Sequence, residues 1–159
     1  MPHGKLREHI ELASLIAIVV SIVLLGYEIR QNTTAVRATA LQQHFAQHTS
    51  LMLARMDNPE LREAIALARN GLDTLENDRS NHVLYVPYAA NVMRDHFIAF
   101  ELMRSGLLPE AQWRTYHAAL ERHLMGSQGN RDLWQLRRQE YPAEFQTIVD
   151  TIVAAVELD

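Results

Sequence analysis

LASLIAIVVSIVLLGY, Leu12 to Tyr27, is a run of sixteen residues without a charge, held between Glu11 and Glu28. At about 1.5 Å per residue an α-helix of that length covers roughly 24 Å. Adding Ile10 and Ile29 brings it close to the ~30 Å hydrocarbon core of a bilayer, with both glutamates at headgroup level. Leu, Ile or Val falls on every face of such a helix, whereas a helix lying on a protein surface carries a single apolar stripe. Lys5 and Arg7 precede the run, and Tyr27 and Arg30 close it, as interfacial anchors do. The run therefore reads as one membrane-spanning helix that tethers whatever follows.

Two other readings compete. As the buried centre of a soluble bundle, the run would need complete cover from the other helices, and a chain of 159 residues makes a thin coat. As a cleaved leader, it would need a small-x-small site close behind; Ala38-Thr39-Ala40 lies too far on, past a polar stretch. The segment is expected to stay in the mature chain. Within it Ala13, Ala17 and Ser21 recur every fourth residue and share one face, where small side chains let helix backbones approach closely in lipid. These three are the expected packing residues of the membrane helix. The absence of an ionisable residue inside the run argues against a proton relay or an axial His for haem or pigment.

The remaining length suits one domain, which divides the chain into 1–29, an N-terminal tail and transmembrane helix, and 30–159, a helical soluble domain. The net charge of −4 gives no general attraction to nucleic acid. With no cysteine, the chain has no disulfide framework, thiolate metal site or thiol nucleophile. Lys5 and Arg7 on one side of the run nearly balance Arg30 and Arg37 on the other, so the positive-inside rule barely chooses an orientation.

After Glu28 neither Gly nor Pro occurs until Pro59. Ile29, Val36, Ala40, Leu41, Phe45, Met52 and Met56 recur mostly at helical steps, which predicts that the membrane helix continues as a long helix to Asp57-Asn58. Asn32-Thr33-Thr34 is its weak point, because these side chains compete for backbone hydrogen bonds. Asn58-Pro59 is the cap and first residue of a second helix that stops at Asn70-Gly71. A third carries Val86, Ala90, Met93, Phe97 and Phe100, with Pro87 in its first turn or kinking it, and ends at Ser105-Gly106. A fourth opens at Leu108-Pro109-Glu110 and buries Trp113, Tyr116 or His117, Leu120 and Leu124. Gly126 to Gly129 reads as a loop, and Asn130 as the cap of a short fifth helix. The sixth starts at Pro142 with the seam Phe145, Ile148, Val149, Ile152, Val153 and Val156. No stretch alternates with period two. The fold class is all-α: a transmembrane helix continuing into a long helix, then a compact bundle of about five further helices.

YEIRQNTTAVRATA directly after the apolar run, DNPEL at the second helix, LMRSGLLPEAQW between the third and fourth, and LWQLRRQEYPAEFQTIVD near the end resemble a family of small uncharacterised bacterial proteins. Its members have one N-terminal transmembrane helix and a helical C-terminal domain. The resemblance covers most of the chain, and the Arg-Gln-Asn-Thr run is its most specific part. It implies a bacterial inner membrane protein with a cytoplasmic domain, although Lys5 and Arg7 depart from the family's sparse N-terminal charge. It implies no activity.

Several constellations invite chemistry. His44 and His48, four apart, face the same way and would share a metal ion if another helix supplied further ligands. The Glu-x-x-His pair of di-iron bundles is missing. Asn91 and Asp95 flank the third helix's apolar stripe; Asp95 would act as a catalytic acid only with a partner such as His96 or His117. The plainer reading is an ordering polar cluster, with Asp95 meeting an Arg from a neighbouring helix. No serine sits in a strained glycine elbow, and Gly126-Ser127-Gln128-Gly129 lacks the Lys and the strand of a phosphate loop. From Arg104 to Arg138 six Arg face three acids, and Arg131, Arg137 and Arg138 beside Trp134 form a candidate contact for anionic lipid or an acidic partner.

These patterns are expected to make a non-catalytic, membrane-anchored interaction protein, packed against itself or against a larger, energy-transducing membrane complex, with no cofactor and no catalytic set. The alternative is a small-molecule or metal sensor or enzyme with a pocket around Asn91, Asp95, His96 and His117.

Overall fold

The computed structural model describes the backbone of residues 3–76 and 78–156, and the side chains of that range from Ser14 onward. The described chain is helical, without a strand. Its helices are α1 (His3–Asp57), α2 (Pro59–Ala68), α3 (Arg79–Arg104), α4 (Glu110–Met125), α5 (Gln128–Arg137) and α6 (Ala143–Val156); short 3₁₀ turns lie at Asp73–Leu75 and Arg138–Glu140. The chain forms two compact units, Met1–Ala40 and Leu41–Asp159. The sequence marked the change of character at 29/30, where the charges begin; the compact bundle itself begins at Leu41.

The first unit is helix alone. Asn32-Thr33-Thr34 does not break α1, because the threonines bond backward: Thr33 Oγ1 donates to the carbonyl of Ile29 at 2.8 Å and Thr34 Oγ1 to that of Arg30 at 3.0 Å. That satisfies each hydroxyl inside the helix without taking a backbone donor from it. From Ser14 to Thr39 every side chain is exposed, the apolar ones included. The alternative of a buried central helix is thus not what the described residues show: from Ser14 onward no residue of the apolar segment is buried.

The second unit is a bundle with two adjoining cores. The larger joins Met93 and Phe100 of α3, Trp113, Leu120 and Leu124 of α4, Trp134 of α5, and Phe145, Val149, Ile152 and Val153 of α6. The smaller joins Ala64 and Ala68 of α2, Leu75, Tyr85 and Ala89 of α3, and Leu133 of α5. Where the seams of α4 and α6 were legible, the buried residues are those their spacing picked out. Asn58 caps α2 as expected, accepting the Leu61 N–H at 2.9 Å. Gly71, at φ +137°, ends the turn after α2 in a conformation that L side chains rarely adopt.

Three expectations shift. Pro87 lies well inside α3, beyond the first turn, and leaves the Val83 carbonyl without its usual intrahelical donor. α5 starts at Gln128 and is capped by Ser127, whose Oγ accepts the Asn130 N–H; Asn130 is a buried residue within the helix. The reason is docking. Gln128 N–H donates to the Arg69 carbonyl at 2.9 Å, and Ser127 Oγ adds a second donor to the Ala68 carbonyl, which already accepts the Gly71 N–H, so the start of α5 docks on the carbonyl end of α2. Asp132 completes the junction by accepting the Leu72 N–H at 2.9 Å.

The third concerns α1: the helical spacing carried the helix to Asp57 as expected, but Phe45, Met52 and Met56 of that series are at least 45% exposed and do not form its packed face. The face turned to the bundle carries Leu41, His44, His48 and Leu51.

Candidate functional site

The packed face of α1 thus carries imidazoles between Leu41 and Leu51. His44 and His48, one turn apart on α1, meet Asp95 of α3, whose side chain is 2% exposed. His48 Nδ1 lies 2.7 Å from Asp95 Oδ2. An ionised carboxylate only accepts, so the ring nitrogen carries the proton and donates. His44 Nδ1 stands 3.3 Å from Oδ1, within ion-pair reach but misaligned for a hydrogen bond. Both ring nitrogens of His44 and Oδ1 of Asp95 are left without a hydrogen-bond partner. Tyr116 of α4 packs on both rings, with centroids 5.0 Å from His44 and 5.9 Å from His48.

Burial pushes the His44 imidazole below its ordinary value, against the opposing pull of the Asp95 charge. His96, next along α3, is pushed down to about 3, chiefly by burial and then by the charges of His123, His48 and His44. His123 of α4, its ring centroid 6.1 Å from that of His96, is pushed down to about 4 by burial and by the nearby Arg55. At neutral pH His96 and His123 are therefore uncharged.

His48, Asp95, His96 and His123 line a cleft of about 510 Å³ bounded by α1, α2, α3, α4 and the start of α5. Leu51, Met52, Ile65, Val92 and Ala119 supply its apolar wall, and Arg55, Arg69 and Arg122 its positive charges. Asp95 is the one acid among the lining residues. Tyr88 is held by Arg55, though burial raises its hydroxyl above the usual value. Also on the lining, the Tyr85 hydroxyl donates to Asn130 Oδ1 at 2.6 Å, and Asn130 Nδ2 donates to the His123 carbonyl at 2.9 Å. Burial pushes the Tyr85 hydroxyl up to about 12.

The sequence reading paired His44 with His48 and Asp95 with His96, but did not bring the two pairs together. Asp95 meets imidazoles from α1 in place of an arginine. Asn91 is exposed, and His117 turns its ring toward Trp113 at 5.9 Å; neither lines the cleft. The missed signal was the series Leu41, His44, His48, Leu51, which has helical spacing once histidine counts as an inward residue. The arginines of the cleft were missed because they come from three helices far apart in sequence. Among the described residues no group of three or more His, Asp or Glu is arranged to hold a metal ion.

The other predicted patch comes apart. Trp134 is 1% exposed, packed in the larger core, and donates its indole N–H to Asp150 at 3.0 Å. Arg138 forks onto the same Asp150 carboxylate at 2.6–3.0 Å, Arg137 Nε donates to Glu140 at 2.8 Å, and Arg131 donates to the Leu124 carbonyl at 2.7 Å, closing the end of α4. Trp134 thus ties α5 to α6 from inside the core, and the three arginines of the candidate contact each have a partner within the bundle. In the apolar segment Ala17 and Ser21 are exposed, with the Ser21 hydroxyl returned to the Ala17 carbonyl at 2.8 Å. Ala13 lies outside the residues whose side chains are described.

No family model, curated protein or solved structure matches the chain.

Proposed function

We propose that the protein is a single-pass membrane-anchored helical protein with a non-catalytic, assembling role: an accessory structural subunit of a larger membrane complex, or a homo-oligomer. The observation that carries this reading is the apolar segment of α1, long enough to cross a bilayer and exposed on every face from Ser14 onward. A monomeric protein in water does not leave such a surface bare, so lipid or other membrane helices solvate it. Ala17 and Ser21 offer a flat face for a neighbouring helix, and the self-satisfied Ser21 hydroxyl demands no polar partner there. The bacterial inner membrane and a cytoplasmic bundle are the localisation that the resemblance implies.

The test is extraction. The full chain is expected to stay in membranes through an alkaline carbonate wash, and to leave mild detergent as an oligomer or with a stoichiometric membrane subunit. Release by carbonate, or a strict monomer at every concentration, overturns the proposal.

A further inference from the structure

We propose that the cleft between α1, α2, α3 and α4 is a binding site for a small organic anion with an apolar body, a carboxylate or a phosphate monoester. The proposal stands apart from the membrane reading, since every residue it uses lies in Leu41–Asp159. Three observations converge on it.

The first is charge. Arg55, Arg69 and Arg122 come from three different helices to line one cavity, and among the described residues none of them is ion-paired to an acid. The single carboxylate on the same lining, Asp95, already shares its charge with His48 and His44. Guanidinium groups recognise carboxylate and phosphate oxygens through paired, charge-assisted hydrogen bonds. The second is an orphaned group. His96 is 4% exposed and lines the cleft, yet its Nδ1 has no hydrogen-bond partner. Buried polar atoms are nearly always satisfied, so an unpartnered ring nitrogen on a residue of the lining points to a polar partner at this end of the cleft. The third is size and texture. About 510 Å³ falls within the range of small-molecule sites, and the apolar wall of Leu51, Ile65 and Val92 suits a hydrocarbon or aromatic body.

The measurement is isothermal titration calorimetry on the full-length protein in phosphatidylcholine nanodiscs. The probes are 2-naphthoate and 1-naphthyl phosphate, with 2-naphthylmethylammonium as a cation of the same apolar body. The anions are expected to saturate at one per chain and the cation not to bind. Arg55→Ala combined with Arg122→Ala should weaken anion binding at least tenfold. Arg104→Ala, whose partner is Glu144 at the far end of α3, should leave it unchanged. Thermal unfolding of each variant separates a lost site from a lost fold. Equal heats for anion and cation, or full affinity in the double arginine variant with its fold intact, overturn the proposal. Repeating the titration in phosphatidylglycerol discs assigns the source: competition by the disc makes the natural anion a lipid headgroup, and unchanged affinity makes it a free solute.

Discussion

Asp95 is the residue on which the polar interior of the bundle turns. A carboxylate this buried keeps its charge only if partners replace water, and His48 provides the one aligned hydrogen bond. Asp95→Ala and His48→Ala are each expected to lower stability. Because the His48 side chain is 40% exposed, their coupling energy in a double-mutant cycle should be modest, about 1–2 kcal/mol. Additive losses in chemical denaturation would mean that the hydrogen bond contributes nothing. His96 gives a separate, pH-dependent prediction. Its folded value of about 3 lies below the free imidazole's 6.5, so between these the unfolded chain binds the proton and the folded chain does not. Its contribution is therefore whole above pH 6.5 and is lost as the pH falls toward 3, amounting to about 2 kcal/mol by pH 5. Urea unfolding at pH 7 and pH 5 should show that loss, and His96→Leu, if it folds, should shrink it. The sequence made these residues visible one by one, as histidines and an acid beside apolar stripes. It hid their meeting, because His44 and Asp95 are brought together only by tertiary packing.

At the scale of elements, α2 and α5 meet through a close backbone approach at Gly129. A Cβ added at Gly129 would stand 2.4 Å from the Ala68 carbonyl oxygen and 3.1 Å from the Tyr85 hydroxyl, both parts of the smaller core's surroundings. Backbone cannot yield as a flexible side chain does, so Gly129→Ala is expected to cost about 1–3 kcal/mol through overpacking, despite alanine's better helix propensity. Gly26→Ala is the control, since nothing lies within 4 Å of its Cβ. A thermal melt that leaves Gly129→Ala at or above the wild-type midpoint would show that the two helices can separate freely. Element boundaries were legible wherever local chemistry sets them: Asn58-Pro59 at the start of α2, Gly71 after it, and Pro142 ahead of α6. They were misread at Gly126–Asn130, where Gly129 looks like a loop residue. Its actual role is to let one helix end approach another, and close approach leaves no mark in local sequence. The packed face of α1 was not legible for a related reason: His44 and His48 turn toward the bundle to meet the Asp95 carboxylate of α3, a partner that local sequence does not show.

For the whole molecule, the apolar segment was legible because an uncharged run of this length has few solutions, and the bare surface from Ser14 to Thr39 removes the one in which the chain covers itself. The unit boundary at 40/41 was less legible, since α1 carries the same helical pattern across it. What remains is whether lipid does the covering, and charge decides that sharply. An arginine near the centre of a membrane helix costs about 2.5–3.5 kcal/mol in insertion, so Val19→Arg together with Val23→Arg should offset most of the segment's preference for the bilayer. Both positions are exposed, so neither substitution removes packing within the chain. The double variant is expected to leave the carbonate-resistant membrane fraction, while residues 41–159 keep their cooperative unfolding and the calorimetric response of the cleft. If the variant stays in the membrane pellet, the segment is not what holds the protein there. If it instead loses the cooperative transition, the exposed face of α1 is supporting the bundle and not anchoring it.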